Sequence, residues 1–234
     1  FFVRNGSQAF RYFKNRSYHR EDAPMTSQSY IQRLRSAMSE RGFTEEHISA
    51  CCAYSSALLS HDLPVLFDAR HVDKVLHLHE INPEAYHTFT IPQVGKLRTI
   101  TAPSRPLKQR QRWILQEILS KVDSSEYAHG FEPERSIKTN ALLHANSQSI
   151  LYDSIVNVFR SIGYSPSASL SLADLCSYHK VLPQGAPTSP KLANIIFKSL
   201  DEKLAAIAKE ENAIYSRYAD DLTFSGDHDL KCNY

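Results

Sequence analysis

At 234 residues, with 42% hydrophobic and 22% charged residues, the chain has the composition of a globular protein and the length to bury a substantial core, as one large domain or two small ones. No secretory signal and no apolar run long enough to span a membrane is present, so the expectation is a cytoplasmic protein away from membranes. The net charge of +2 says little about partners, but the cations cluster: residues 4–20 hold five basic side chains and residues 96–112 hold six, with no acid in either stretch. Cys51, Cys52, Cys176 and Cys232 show no CxxC spacing and read as reduced thiols.

Residues 1–24 mix Phe10, Tyr12, Phe13 and Tyr18 with Arg4, Arg11, Lys14, Arg16 and Arg20. Aromatics can stack on bases while cations neutralise phosphates; the same pattern equally suits an amphipathic arm docked on the protein's own body. From Ser27 to Leu78 the pattern is helical. Tyr30, Leu34 and Met38 recur at four-residue spacing, with Gly42 as the stop. Thr44 caps a second helix with Glu45 and Glu46 in its first turn, where the helix dipole favours acids. It runs through Ile48, Cys52 and Ala57 to a break near Leu63-Pro64. A third helix is expected over Ala69–His79. Its His71, His77 and His79 invite a metal, but helix positions two apart diverge and nothing completes a tetrahedral set.

Tyr86 to Ile100 alternates as a hairpin, with Phe89 and Ile91 on one arm, Leu97, Thr99 and Ile100 on the other, and Val94-Gly95 in the turn. Lys96 and Arg98 on its second arm could be solvated charges that discourage edge pairing. Ser104 caps a helix over Pro106–Val122 with an apolar face of Leu107, Ile114, Leu115, Ile118 and Leu119, leaving Lys108, Arg110 and Arg112 mostly off that face. Asn140 and His144, four apart, share a helix face and could hold a polar network, an RNA contact being the other reading. Residues 149–164 and 165–179 are helical, the first through Ile155, Val158, Phe159 and Ile162, the second through Leu170, Leu172 and Leu175.

Pro183, Gly185 and Pro187 then make a rigid, non-helical segment whose backbone can approach a base pair closely. Ser189 at N-cap and Pro190 at N1 open a helix to Lys209 that buries Leu192, Ile196, Leu200 and Leu204 as scaffold. Last come two strands, Ile214–Tyr218 and Leu222–Ser225, joined by a tight turn at Ala219-Asp220-Asp221. Adjacent carboxylates at a hairpin tip repel each other, yet a turn can bring both towards one cation. Two divalent metals about 3.5–4 Å apart, held by such groups, can clamp an in-line phosphoryl displacement. An Asp-rich turn that merely faces solvent is the alternative.

Tyr218-Ala-Asp-Asp221 resembles the YxDD box of reverse transcriptases, and Leu182-Pro-Gln-Gly-Ala-Pro-Thr-Ser-Pro190 resembles their LPQGxPxSP segment. Asn140-Ala-Leu-Leu-His144 matches the NAxxH element that is similar to retron reverse transcriptases in particular. The resemblance runs from about Tyr86 to Gly226, and more loosely before it. It implies an α+β right-hand polymerase with a small antiparallel palm sheet packed on helices. Residues 1–85 would be an arm and helical region, 86–145 the fingers, and 146–234 an incomplete palm. The reaction implied is RNA-directed DNA synthesis, with Asp220 and Asp221 as catalytic ligands of Mg²⁺, a hard cation suited to carboxylates. Lys96 and Arg98 match fingers positions that contact the dNTP triphosphate. Gln184, Gly185 and Tyr218 fall at template- and nucleotide-binding positions, and Arg110 and its neighbours could meet the template strand. Retron resemblance adds a non-coding RNA that is both template and primer, a branched RNA–DNA product, and an effector protein in anti-phage defence. A group II intron or abortive-infection reverse transcriptase, or an inactive RNA-binding scaffold, are the alternatives.

The chain departs from the family after the NAxxH element. An apolar strand ending in the third metal-binding Asp, followed by an aromatic gate, should stand there; instead Gln148 runs straight into Ser149. Asp153 lies in a helical pattern and is not that ligand. A strand and turn of roughly a dozen residues is missing, the turn at Gln93-Val94 is short, and the chain stops soon after Gly226, where the family continues into a thumb. The expectation is a chain that joins pieces of a longer protein, with Gln148 and Ser149 not natural neighbours; a deletion is the alternative.

Overall fold

The computed structural model describes residues 26–81, 85–93, 96–130, 152–219 and 221–226. The arm at 1–24, the Val94-Gly95 turn, Asn140, His144, the Gln148–Ser149 junction, Asp220 and Cys232 lie outside the described residues. Among the described residues the fold is α+β, with eight α-helices and two separate two-stranded antiparallel sheets. No helix among them is long and apolar enough to cross a membrane.

Local capping sets the first elements. Helix α1 (Ser27–Ser39) opens at Thr26, whose hydroxyl accepts from the Ser29 N–H at 3.2 Å, and Gly42 follows it at φ +76°. Helix α2 (Glu45–Ser60) opens at Thr44 and buries Ile48, Cys52, Ser55 and Leu58; Ala57, expected on that stripe, is exposed. Helix α3 (Ala69–Leu76) is capped by Asp68 and stops short of the expected His79, because His77 turns left-handed at φ 51°. Arg110 meets this end of the helix. Its guanidinium donates to the Leu76 carbonyl at 2.9 Å and the His77 carbonyl at 3.3 Å, closing off the end of α3. Arg110 is therefore buried scaffold and does not face a template strand.

Strands β1 (Tyr86–Gln93) and β2 (Lys96–Pro103) form the expected hairpin, with Phe89 opposite Ile100 and Thr88 opposite Thr101. Helix α4 (Arg105–Glu117) follows Ser104, whose hydroxyl makes no capping bond and is buried without a partner among the described residues. The helix ends before the expected Val122, at Ile118, and a 3₁₀ turn covers Leu119–Lys121. Gln111 of α4 is fully buried and donates to the Tyr86 hydroxyl and the Leu175 carbonyl, both at 2.8 Å, which ties the hairpin to the helical body.

Helix α5 (Tyr152–Ile162) and helix α6 (Pro166–Cys176) pack together, with the Ser165 hydroxyl capping α6. Leu170 is exposed, while Leu172 and Cys176 are buried. Burial pushes the Cys176 thiol up to about 12, and the three described cysteines are free thiols. Helices α7 (Ser189–Ile196) and α8 (Lys198–Glu210) replace the single helix expected from Pro190 to Lys209, with the break at Phe197. Leu200 is 41% exposed, and Asn194, Asp201 and Ala208 are buried with Leu192. The apolar stripe loses to a polar one because Asp201 turns inward to meet a buried arginine. Leu58, Leu66, Leu76, Ile114, Phe159, Leu172 and Leu192 form the main core across α2 to α7. Each such side chain stabilises the fold by about 1.5–3 kcal/mol when fully buried.

Candidate active site

Strands β3 (Ile214–Tyr218) and β4 (Asp221–Ser225) pair antiparallel with Tyr218 directly opposite Asp221. The loop between them is therefore two residues, Ala219 and Asp220, and Asp221 opens the second strand instead of lying in the turn. Ala219 sits at φ 55°, the left-handed conformation that two-residue hairpin loops require and that Gly or Asn adopts more readily.

Side chains alternate across a sheet, and opposed residues share a face. Tyr215 and Arg217 occupy one face and are buried; Ile214, 72% exposed, shares the other face with Ser216, Tyr218 and Asp221. The structure thus brings Tyr218 and Asp221 together, both half-exposed, on the open side of the hairpin. A carboxylate oxygen there is a hard donor at an accessible tip, which fits a divalent cation such as Mg²⁺.

The closed side is held by charge. Arg217 is 2% exposed and Asp201 of α8 is fully buried. The guanidinium donates through Nε to Asp201 Oδ1 and through Nη2 to Oδ2, each at 2.8 Å, a bidentate pairing. Its Nη1 reaches Asn194 Oδ1 of α7 at 3.1 Å and the Ala219 carbonyl of the turn at 2.8 Å. The Phe197 ring lies 5.3 Å from the guanidinium carbon, at the break between the helices. Tyr215 also donates to Asp201 Oδ1, at 2.8 Å; burial first, then that carboxylate, push its phenol upward.

Segment 127–130 flanks β3. Arg217 N–H donates to the Tyr127 carbonyl at 2.8 Å and His129 N–H to the Arg217 carbonyl at 2.6 Å. Next to them, a Cβ built on Gly130 would lie 2.6 Å from the Ala219 nitrogen, so only glycine lets this segment touch the turn. Asn194 donates to the Gly130 carbonyl at 2.8 Å.

Helix α7 links the two motifs. At its start, Ser189 Oγ donates to the Pro183 carbonyl at 2.7 Å, which shapes the Pro-Gln-Gly turn. Gly185 donates its N–H to the Thr101 carbonyl of β2 at 3.0 Å, so the close backbone approach expected at this glycine is made to a strand of the first hairpin. Gln184 beside it is exposed. Lys96 and Arg98 lie across β1 from Gln93 and Ile91 on that same hairpin. Asp153 stands exposed in the first turn of α5. His71 Nδ1 accepts from the Phe67 N–H at 3.3 Å, and no group of three metal-binding side chains occurs among the described residues.

Asp201, Asn194, Arg217 and Gly130 escaped the sequence reading. Strand alternation carried the signal for Arg217, since it shares the parity of Tyr215. Asn194 and Asp201 lie on separate helices, α7 and α8, on either side of the break at Phe197, and carried no comparable signal.

No family model matches the chain. It is 41% identical over 155 residues to the retron Ec86 reverse transcriptase of Escherichia coli, covering 60% of this chain and 48% of that protein. The retron Mx65 and Mx162 reverse transcriptases of Myxococcus xanthus are each 35% identical, over 79% and 67% of this chain and 48% and 37% of their own lengths. The chain thus spans about half the length, or less, of these curated relatives. The Mx65 alignment runs over 215 residues yet takes up 79% of this chain, so part of it falls on residues that only the relative has. Across the part it spans, the chain is a relative of the retron reverse transcriptases.

Proposed function

We propose that the chain is part of a retron-type RNA-directed DNA polymerase. It would extend a primer on a dedicated non-coding RNA to give a branched RNA–DNA hybrid, in the cytoplasm and with an effector protein in anti-phage defence. The observation that carries this reading is Asp221 beside Tyr218 on the open face of a hairpin whose other face is locked, in a chain similar to retron reverse transcriptases. Residues 1–85 act as arm and helical region, 86–145 as fingers, and 146–234 as palm.

Asp220 and Asp221 would hold Mg²⁺, which when bound neutralises charge on the transferring phosphoryl group. Lys96 and Arg98 face the dNTP triphosphate; Arg suits this because its planar fork can bind phosphate oxygens in pairs. Gln184 and Gly185 sit against the template, and Tyr218 against the primer terminus or nucleotide.

A second reading, the inactive RNA-binding scaffold, draws on the third carboxylate. Asp153, the first Asp after the NAxxH element, is helical and exposed in α5. Primer extension on an RNA template by the full-length protein, with and without Mg²⁺, separates the two. Synthesis that depends on the metal supports the polymerase, and RNA binding with no synthesis supports the scaffold.

A further inference from the structure

We propose that Arg217, with Asp201, Asn194 and Gly130, forms a cradle that fixes the Ala219 backbone and through it the placement of Asp221, which makes Arg217 a positioning residue for metal binding. The inference rests on the metal reading of the hairpin given above.

Ala219 is gripped at both ends of its peptide backbone. Its carbonyl accepts from Arg217 Nη1 at 2.8 Å, and its nitrogen lies against Gly130, where a Cβ would come within 2.6 Å. Asn194 joins the two grips, accepting from Arg217 at 3.1 Å and donating to the Gly130 carbonyl at 2.8 Å. The residue so held has φ 55° without being glycine, a conformation that persists when its surroundings impose it.

Stability alone does not account for this arrangement. A buried ion pair stabilises little more than well-packed apolar residues of similar volume, because both charges lose their water. Asp201 occupies Nε and Nη2, whereas Nη1 reaches beyond the pair to the turn. Lysine would keep a charge for Asp201, but a single ammonium cannot reproduce the planar fork that serves three partners at once.

The test uses the full-length protein carrying Arg217→Lys, Gly130→Ala, or the double change Arg217→Met with Asp201→Leu, which removes both charges together. Melting, RNA binding, primer extension and Mn²⁺ binding by electron paramagnetic resonance are measured on each. The expected result is parental RNA affinity and dNTP KM in all three, with turnover lower by about 10- to 100-fold, the scale of a small misplacement. Mn²⁺ binding weakens in step, while the double variant still folds cooperatively and melts lower, because the Tyr215 hydroxyl, Asn194 Oδ1 and the Ala219 carbonyl lose their buried partners. Parental Mn²⁺ affinity and turnover in the double variant, or in both Arg217→Lys and Gly130→Ala, would overturn the cradle. Asp221→Asn separates the two failures: if it abolishes Mn²⁺ binding and the cradle variants do not change it, only the cradle falls. If Asp221→Asn itself binds Mn²⁺ and turns over like the parent, the metal reading falls with it.

Discussion

Gly185 hangs from Thr101 by a 3.0 Å backbone hydrogen bond, and a Cβ on that glycine would lie 2.8 Å from the Thr101 carbonyl oxygen and from the Ala102 Cα. The loop before α7 and the strand that carries Lys96 and Arg98 are in direct contact at this point. Side chains can swing away from an added methyl, but backbone on both sides cannot.

Gly185→Ala is therefore expected to destabilise the protein by about 1–3 kcal/mol, the usual range for overpacking a closed contact. Gly42→Ala is the comparison, since its Cβ would meet nothing within 4 Å and only its φ of +76° opposes the change. That conformation costs a non-glycine residue about 1–2 kcal/mol. Thermal melting measures both. The distinguishing result is a change in RNA-templated extension with Gly185→Ala and none with Gly42→Ala.

Arg110→Met is expected to lower stability by about 1–3 kcal/mol, because the Leu76 and His77 carbonyls lose their buried donor. RNA affinity and its salt dependence should stay at parental values, as the lost guanidinium faces inward. A smaller salt slope in this variant would return Arg110 to the nucleic-acid path.

His71 gives a pH dependence with a defined sign. Burial holds its imidazole below the ordinary value of 6.5; Lys74 adds to this and Asp68 opposes it. Because the folded pKa lies below the unfolded one, the unfolded chain binds more protons in that window. The contribution is complete above about pH 6.5 and is lost as the pH falls below it. Melting temperatures between about pH 8 and about pH 5 should show this loss, and His71→Gln should flatten it. An unchanged slope in His71→Gln would assign the acid sensitivity to other groups.

What the sequence made legible was mostly local. Thr44 marks the start of α2 as expected, because a capping hydroxyl acts within three residues, whereas Ser104 makes no capping bond and Ser189, expected at the N-cap, lies inside α7 behind Thr188. The β3–β4 hairpin was legible because two strand-forming arms flank the motif, although Asp221 opens β4 where the sequence placed it in the turn. Arg217 was not: alone it reads as a solvated strand charge, and its partner Asp201 lies sixteen residues away on a helix. The same pair hid the inward face of α8, where Leu200 and Ile207 follow an apolar repeat yet are 41% and 55% exposed. Arg110 misled for a similar reason, since the carbonyls it caps belong to α3, 33 and 34 residues earlier.

The central claim is that the tip of the β3–β4 hairpin holds the metal for RNA-templated DNA synthesis. Primer extension by the full-length protein carrying Asp221→Asn, with melting and RNA binding measured alongside, tests it most directly. Asn keeps the size of the side chain and removes its charge, relieving any repulsion from the neighbouring Asp220, so folding and RNA affinity should be unchanged. This folded, RNA-bound variant should give no detectable extension. Near-parental extension in Mg²⁺ would contradict it.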